Sequence, residues 1–142
     1  MEIETPIPFA KRTSLRLPLV SASVEAGFPS PADDHLERSL DLNEELVRNP
    51  AATFFVRVKG ESMRDAGIHP GDTLIVDRSV IPSDRQIVVA MIDGEFTVKR
   101  FRKRGWKITL EAENPAFAPI EVGEDQELTI WGAVTYVIHQ AR

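Results

Sequence analysis

The sequence predicts a mainly β fold with short helices and an extended N-terminal arm, and three observations carry that prediction. The first is a series of segments after Thr53 that are rich in Val, Ile, Thr and aromatic residues, with turn residues between them. The second is a stretch of 26 residues at the start that holds Pro6, Pro8 and Pro18 and sustains neither a 2.0 nor a 3.6 period. The third is size: 142 residues, 42% hydrophobic and 27% charged, suit one packed domain plus an arm.

Taken in order, the arm runs through residues 1–26, where three Lys/Arg balance three Glu. It ends in Val24-Glu25-Ala26-Gly27-Phe28-Pro29-Ser30-Pro31, whose glycine and prolines keep the backbone out of helix and accessible, as in a hinge or a protease-sensitive segment. Between Asp34 and Asn49 the spacing of Leu36, Leu40, Leu42, Leu46 and Val47 predicts one or two short helices. Asp41 stands three residues before Glu44 as in a capping box, and Asn49-Pro50 is the stop. Strands are then expected over Thr53–Lys59, Thr73–Asp77, Gln86–Ile92, Glu95–Phe101, Lys107–Glu111 and Glu127–His139. His69-Pro70-Gly71-Asp72 suits a type II turn. Asp93-Gly94 suits a two-residue type I′ hairpin, which would pair Gln86–Ile92 with Glu95–Phe101.

Composition excludes several function classes. The longest apolar run, Ile87 to Ile92, has six residues, far below the roughly 20 of a spanning helix. The N-terminus lacks the basic flank and apolar stretch of a secretory signal, so a cytoplasmic protein without a membrane anchor is expected. There is no cysteine, which removes disulfides, thiolate nucleophiles and Cys-based metal sites. A formal charge of −5 opposes broad contact with nucleic acid, and the proline-broken arm lacks the helices of a helix-turn-helix, so no direct sequence-specific DNA binding is expected. Locally, six of the nine residues from Lys99 to Lys107 are basic. The plain reading is a solvated hairpin end with Arg100, Arg102 and Arg104 on one face; a phosphate or acidic-partner site is the alternative.

Candidate chemistry is sparse. His35, His69 and His139 have neither metal-ligand nor triad spacing and read as surface side chains. The acidic residues between Glu111 and Glu127 read as solvated; no metal or cofactor is expected. What remains is a hydroxyl nucleophile with a lysine base. Ser62 follows Gly60-Glu61 directly after the strand Thr53–Lys59 and opens a short turn, where a hydroxyl can be presented beside free backbone N–H groups. Alone, a serine after glycine is ordinarily a helix cap. Lys99 lies inside the strand Glu95–Phe101, alternating with Thr97 and Phe101 against Phe96 and Val98. A lysine there is ordinarily exposed; if covered, it would lose its charge more readily and serve as a base.

The set Ala26-Gly27, Gly60-Glu61-Ser62-Met63, Pro70-Gly71-Asp72 and Asp93-Gly94-Glu95-Phe96-Thr97-Val98-Lys99 resembles the self-cleaving Ser/Lys peptidases of the LexA and UmuD family, peptidase family S24. The likeness runs from about Val20 to Arg142, and Gly27-Phe28-Pro29-Ser30-Pro31 with Asp41-Leu42-Asn43 resembles the UmuD branch. The resemblance implies twisted antiparallel sheets, with residues 1–26 a mobile arm removed by self-cleavage and 27–142 the β-rich peptidase domain. It implies Ser62 as nucleophile, Lys99 as general base, the backbone amides of Ser62 and Met63 as oxyanion donors, and Ala26-Gly27 as the scissile bond. One departure is the residue at the cut: UmuD has Cys-Gly, whereas Ala26 matches the LexA-type repressors. The implied role is self-processing in the SOS response to DNA damage, stimulated by a RecA filament on single-stranded DNA. The product would act as a homodimer with a UmuC-like Y-family polymerase subunit in translesion synthesis. The alternatives are an adaptor that binds a polymerase without needing the chemistry, and a fragment of a LexA-type repressor.

Overall fold

The computed structural model describes residues 2–11, 16–20, 36–123 and 126–141. In chain order the elements are β1 (Glu2–Ile3), β2 (Ile7–Pro8), β3 (Arg16–Val20), β4 (Leu36–Asp41), α1 (Leu42–Leu46), β5 (Thr53–Lys59), β6 (Thr73–Asp77), β7 (Ile87–Ile92), β8 (Glu95–Arg104), β9 (Lys107–Glu111), β10 (Ile120–Glu121) and β11 (Leu128–Ile138). Short 3-10 turns lie at Pro50–Ala52 and Arg64–Ala66. The fold is mainly β with antiparallel pairing, as expected, and the chain divides into two compact units.

The larger unit comprises residues 1–9 and 49–142. Its strands run in the order β1-β5-β6-β11-β7-β8-β9-β10, and β2 also pairs with β5. The β7–β8 hairpin turns at Asp93-Gly94 with φ 48° and 82°, the left-handed pair that a type I′ turn requires. The second specified turn also forms: Asp72 N donates to His69 O at 3.0 Å, and Gly71 sits at φ 89°. β11 serves two neighbours. Its first half pairs with β7 and its second with β6, with register shifts between Ile130 and Gly132 and between Val134 and Tyr136.

Burial follows the strand alternation. Val56 and Val58 of β5 point into one core with Met63, Ile68, Leu74, Val76, Val89 and Val98. Val88, Ala90, Phe101 and Leu110 form a second buried cluster. Because Val98 belongs to the first and Phe101 to the second, the centre of β8 is covered on both faces.

The smaller unit, residues 10–48, pairs β3 with β4 and continues into α1. Here the expectation of helix over 34–49 needs correction. Leu36–Asp41 is a strand, and only Leu42–Leu46 is helical. A lone five- or six-residue helix is marginal, whereas pairing with Arg16–Val20 satisfies the backbone along the segment. Asp41 does cap the helix, its Oδ1 accepting from Asn43 N at 2.9 Å.

Candidate active site

The site begins where β5 ends. Gly60, at φ 82°, takes a left-handed conformation that lets the chain leave the strand sharply. Met63, fully buried in the first core, pins the turn that follows; its carbonyl accepts from Ala66 N at 3.1 Å and Ile68 N at 3.3 Å. Ser62 is therefore held in the turn and is not a helix cap: the cap position of the 3-10 turn belongs to Met63. Among the described residues, neither the Ser62 nor the Met63 N–H donates to a carbonyl or a side chain.

Lys99 comes from the centre of β8, where its register partner on β7 is Val88. It is not the exposed lysine of the ordinary reading: only 5% of its surface is accessible, and Ser62 is at 1%. Lys99 Nζ donates to Ser62 Oγ at 2.8 Å. Burial pulls the amine below its ordinary 10.5, because the ammonium loses hydration in this position. Two residues 37 apart in sequence are thus joined by a buried contact of the kind that lets a neutral amine take a hydroxyl proton.

The loop after β9 locks the Ser62 turn in place. Glu113 N donates to Ser62 O and Asp65 N to Glu113 O, both at 2.8 Å. Asn114, 7% exposed, donates through Nδ2 to Glu61 O at 2.9 Å and accepts at Oδ1 from Ala116 N at 3.0 Å. Phe117 N donates to Asn114 O at 3.0 Å, and the Phe117 ring centroid lies 5.9 Å from Lys99 Nζ. Neither Asn114 nor Phe117 was singled out by the sequence reading. The one local signal was Asn-Pro at 114–115, a turn former with nothing to tie it to Ser62, 52 positions away.

Several other expectations are corrected here. The basic run is solvated only at its tip. Arg100 pairs with Glu113, and Arg102 with Asp84 at 3.1 Å and Glu111 at 3.4 Å. Lys107 meets Glu121 at 3.1 Å. Glu111, Glu113 and Glu121 are thus partners of the basic run. Among the described residues no group of three or more His, Asp or Glu is placed to hold a metal ion. His139 is exposed but not isolated: its Nδ1 lies 2.6 Å from Oδ1 of the buried Asp72, and its ring centroid is 5.2 Å from that of His69. His35, Ala26 and Gly27 lie outside the described residues. No helix among the described residues is long and apolar enough to cross a membrane.

Comparison with known proteins identifies the family. The family model described as peptidase S24-like matches residues 18–135. The chain is 47% identical over 125 residues to Protein SamA of Salmonella typhimurium, covering 88% of this chain and 86% of that one. It is 46% identical over 121 residues to Protein MucA of Escherichia coli, covering 84% and 82%. LexA repressor 1 of Pseudomonas putida is 45% identical over 132 residues, 92% of this chain but 64% of the repressor. The chain belongs to the S24 family of self-cleaving serine peptidases. Within that family it is a UmuD-like member, with the SOS mutagenesis role of that class.

Proposed function

We propose that Ser62 and Lys99 are the catalytic dyad of this peptidase and that the bond they cut is Ala26–Gly27 of the same protein. The observation that carries the reading is the buried 2.8 Å contact between the amine and the hydroxyl. With the amine neutral, the same contact reverses its sense: the Ser62 hydroxyl donates to the Nζ lone pair. Nζ takes the proton as Oγ attacks the carbonyl carbon of Ala26, and the resulting oxyanion is met by the Ser62 and Met63 amides. The ammonium returns its proton to the Gly27 nitrogen as the peptide bond breaks, leaving Ala26 as an ester on Ser62. Water then hydrolyses that ester, with Lys99 again accepting a proton. Residues 1–26 leave as the arm, and residues 27–142 remain as the peptidase domain. Because substrate and site share one chain, attachment supplies a high effective concentration, and a weakly binding cleft suffices.

The partners follow from the family reading. A RecA filament on single-stranded DNA promotes cleavage by favouring the conformation in which the arm enters the cleft. The shortened homodimer then serves a UmuC-like Y-family polymerase subunit in the cytoplasm. Alanine at the cut keeps the small side chain that a close approach to Ser62 requires.

The test is incubation of the purified chain at pH about 9–10, where more of the amine is neutral. A product whose first residue is Gly27 is expected from the parent and not from Ser62→Ala or Lys99→Ala, with losses of at least about 10²-fold in rate. Equal cleavage in either variant, or an intact parent chain, contradicts the reading.

A further inference from the structure

The loop that carries Phe117 stands beside the Lys99 amine, and β1 also packs against β8, bringing Glu2 near Thr97. From β8, Thr97 and Phe101 share its face; from β7 comes Val88, and from the β5 turn comes Ser62. Among the described residues no carboxylate pairs with Nζ. The Glu113 side chain goes to Arg100, which alternates to the opposite face of β8, and Asp65 goes to Arg64, while Glu61 is exposed. The named side chains around the amine are thus apolar apart from the Ser62 and Thr97 hydroxyls; burial lowers its pKa, and a hydrogen bond with the chain's N-terminal amine acts against that to a smaller extent. Phe117 adds to this cover, its ring centroid 5.9 Å from Nζ while 46% of the residue remains exposed. An apolar residue with so much exposed surface gains little for its own burial, yet its loop is tied down by five hydrogen bonds involving Glu113, Asn114, Ala116 and Phe117.

We propose that Phe117 is a positioning residue for the peptidase: held by the Asn114 staple to the Ser62 turn, it shields the Lys99 amine from water and so sets how much of it is available as a base. Two effects of the ring oppose each other. Its π face attracts an ammonium, but at 5.9 Å that attraction is at the edge of its useful range. Exclusion of water acts on the charged form directly and is the larger effect for a cation this deeply placed. The depressed affinity of Lys99 for its proton, caused by burial, agrees with that ordering.

The inference rests on the dyad reading for its consequence in cleavage, but its test does not. In a Ser62→Ala background, which keeps the chain intact, the 13Cε resonance of Lys99 is titrated with Phe, Ala or Leu at position 117, the signal being assigned by its absence in Lys99→Arg. Phe117→Ala is expected to raise the midpoint by about half a unit or more, because water reaches the amine. Phe117→Leu is expected to leave the midpoint at or below the parent value, because it excludes water without offering a π face. In the Ser62 proteins, Phe117→Ala should then cleave about threefold more slowly at neutral pH, with Leu restoring the rate. A midpoint that fails to rise in the Ala variant, or rises no further than in the Leu variant, overturns the proposal. The exposure of Phe117 makes both variants compatible with the fold, which circular dichroism checks. Loss of the dyad reading would show separately, as cleavage that persists in Ser62→Ala.

Discussion

A lysine with 5% of its surface accessible works against the fold whenever it must carry a charge, and Lys99 is such a residue. Its native pKa is lowered by burial from 10.5, so below 10.5 the folded state must either give up the proton that the unfolded chain keeps or, below the native value, bury an ammonium. Between the native value and 10.5 the unfolded state binds more protons than the native one, and stability rises with pH; above 10.5 both forms are neutral and the rise ends. The expected outcome is that Ser62→Ala gains stability relative to Ser62→Ala/Lys99→Met across that window and not beyond it. Denaturant unfolding at a series of pH values measures this. Parallel curves for the two proteins would show that Lys99 stays charged in the fold, contrary to the burial argument. Ser62 makes the complementary point at this scale: its position is fixed by neighbours, with Gly60 bending the chain and Met63 anchoring it in the core.

At the scale of elements, β8 and β11 do most to build the site. β8 carries Lys99 between two apolar clusters, and β11 joins β6 to β7 so that the β5 turn and β8 share one sheet. β11 approaches β6 closely at Gly132, where a Cβ would sit 2.6 Å from Val76 Cγ1 and 3.3 Å from the Asp77 carbonyl oxygen. Val76 is fully buried and β-branched, so it has little freedom to move aside. Gly132→Ala is therefore expected to cost about 1–3 kcal/mol, read as a fall in denaturation midpoint with an unchanged slope. No change in midpoint would mean that the contact relaxes freely. Much of this level was legible in the sequence. The bounds of β5, β6 and β9 follow from runs of β-branched and aromatic residues, and both specified turns from Pro-Gly and Asp-Gly. What was not legible has physical causes. Leu36–Asp41 reads as helix because its leucines are four apart, and pairing with β3 overrides that spacing. The burial of Lys99 depends on what covers β8 from other parts of the chain, a long-range fact that alternation within one strand does not contain. Asn114 and Phe117 escaped notice for the same reason, since their meaning lies in contacts with Glu61 and Lys99.

For the whole molecule, the chemistry is a consequence of enclosure. A sheet covered on both faces at its centre gives an amine a place with little water, and a turn pinned by a buried methionine sets a hydroxyl against it. Family membership places the chain among self-cleaving peptidases, and the dyad proposed above would supply nucleophile and base from two of its own side chains. In the basic strand end, Arg100 and Arg102 are occupied by Glu113, Glu111 and Asp84. For the proposed dyad, enclosure also moves the pH at which cleavage levels off below that of an exposed lysine. The measurement that bears most directly on this account is the rate of self-cleavage as a function of pH, followed by release of the product beginning at Gly27. The rate is expected to climb about tenfold per pH unit and to level off below 10.5, at the native value of the Lys99 amine. A rate that still climbs past 10.5, or that does not change with pH, would contradict it.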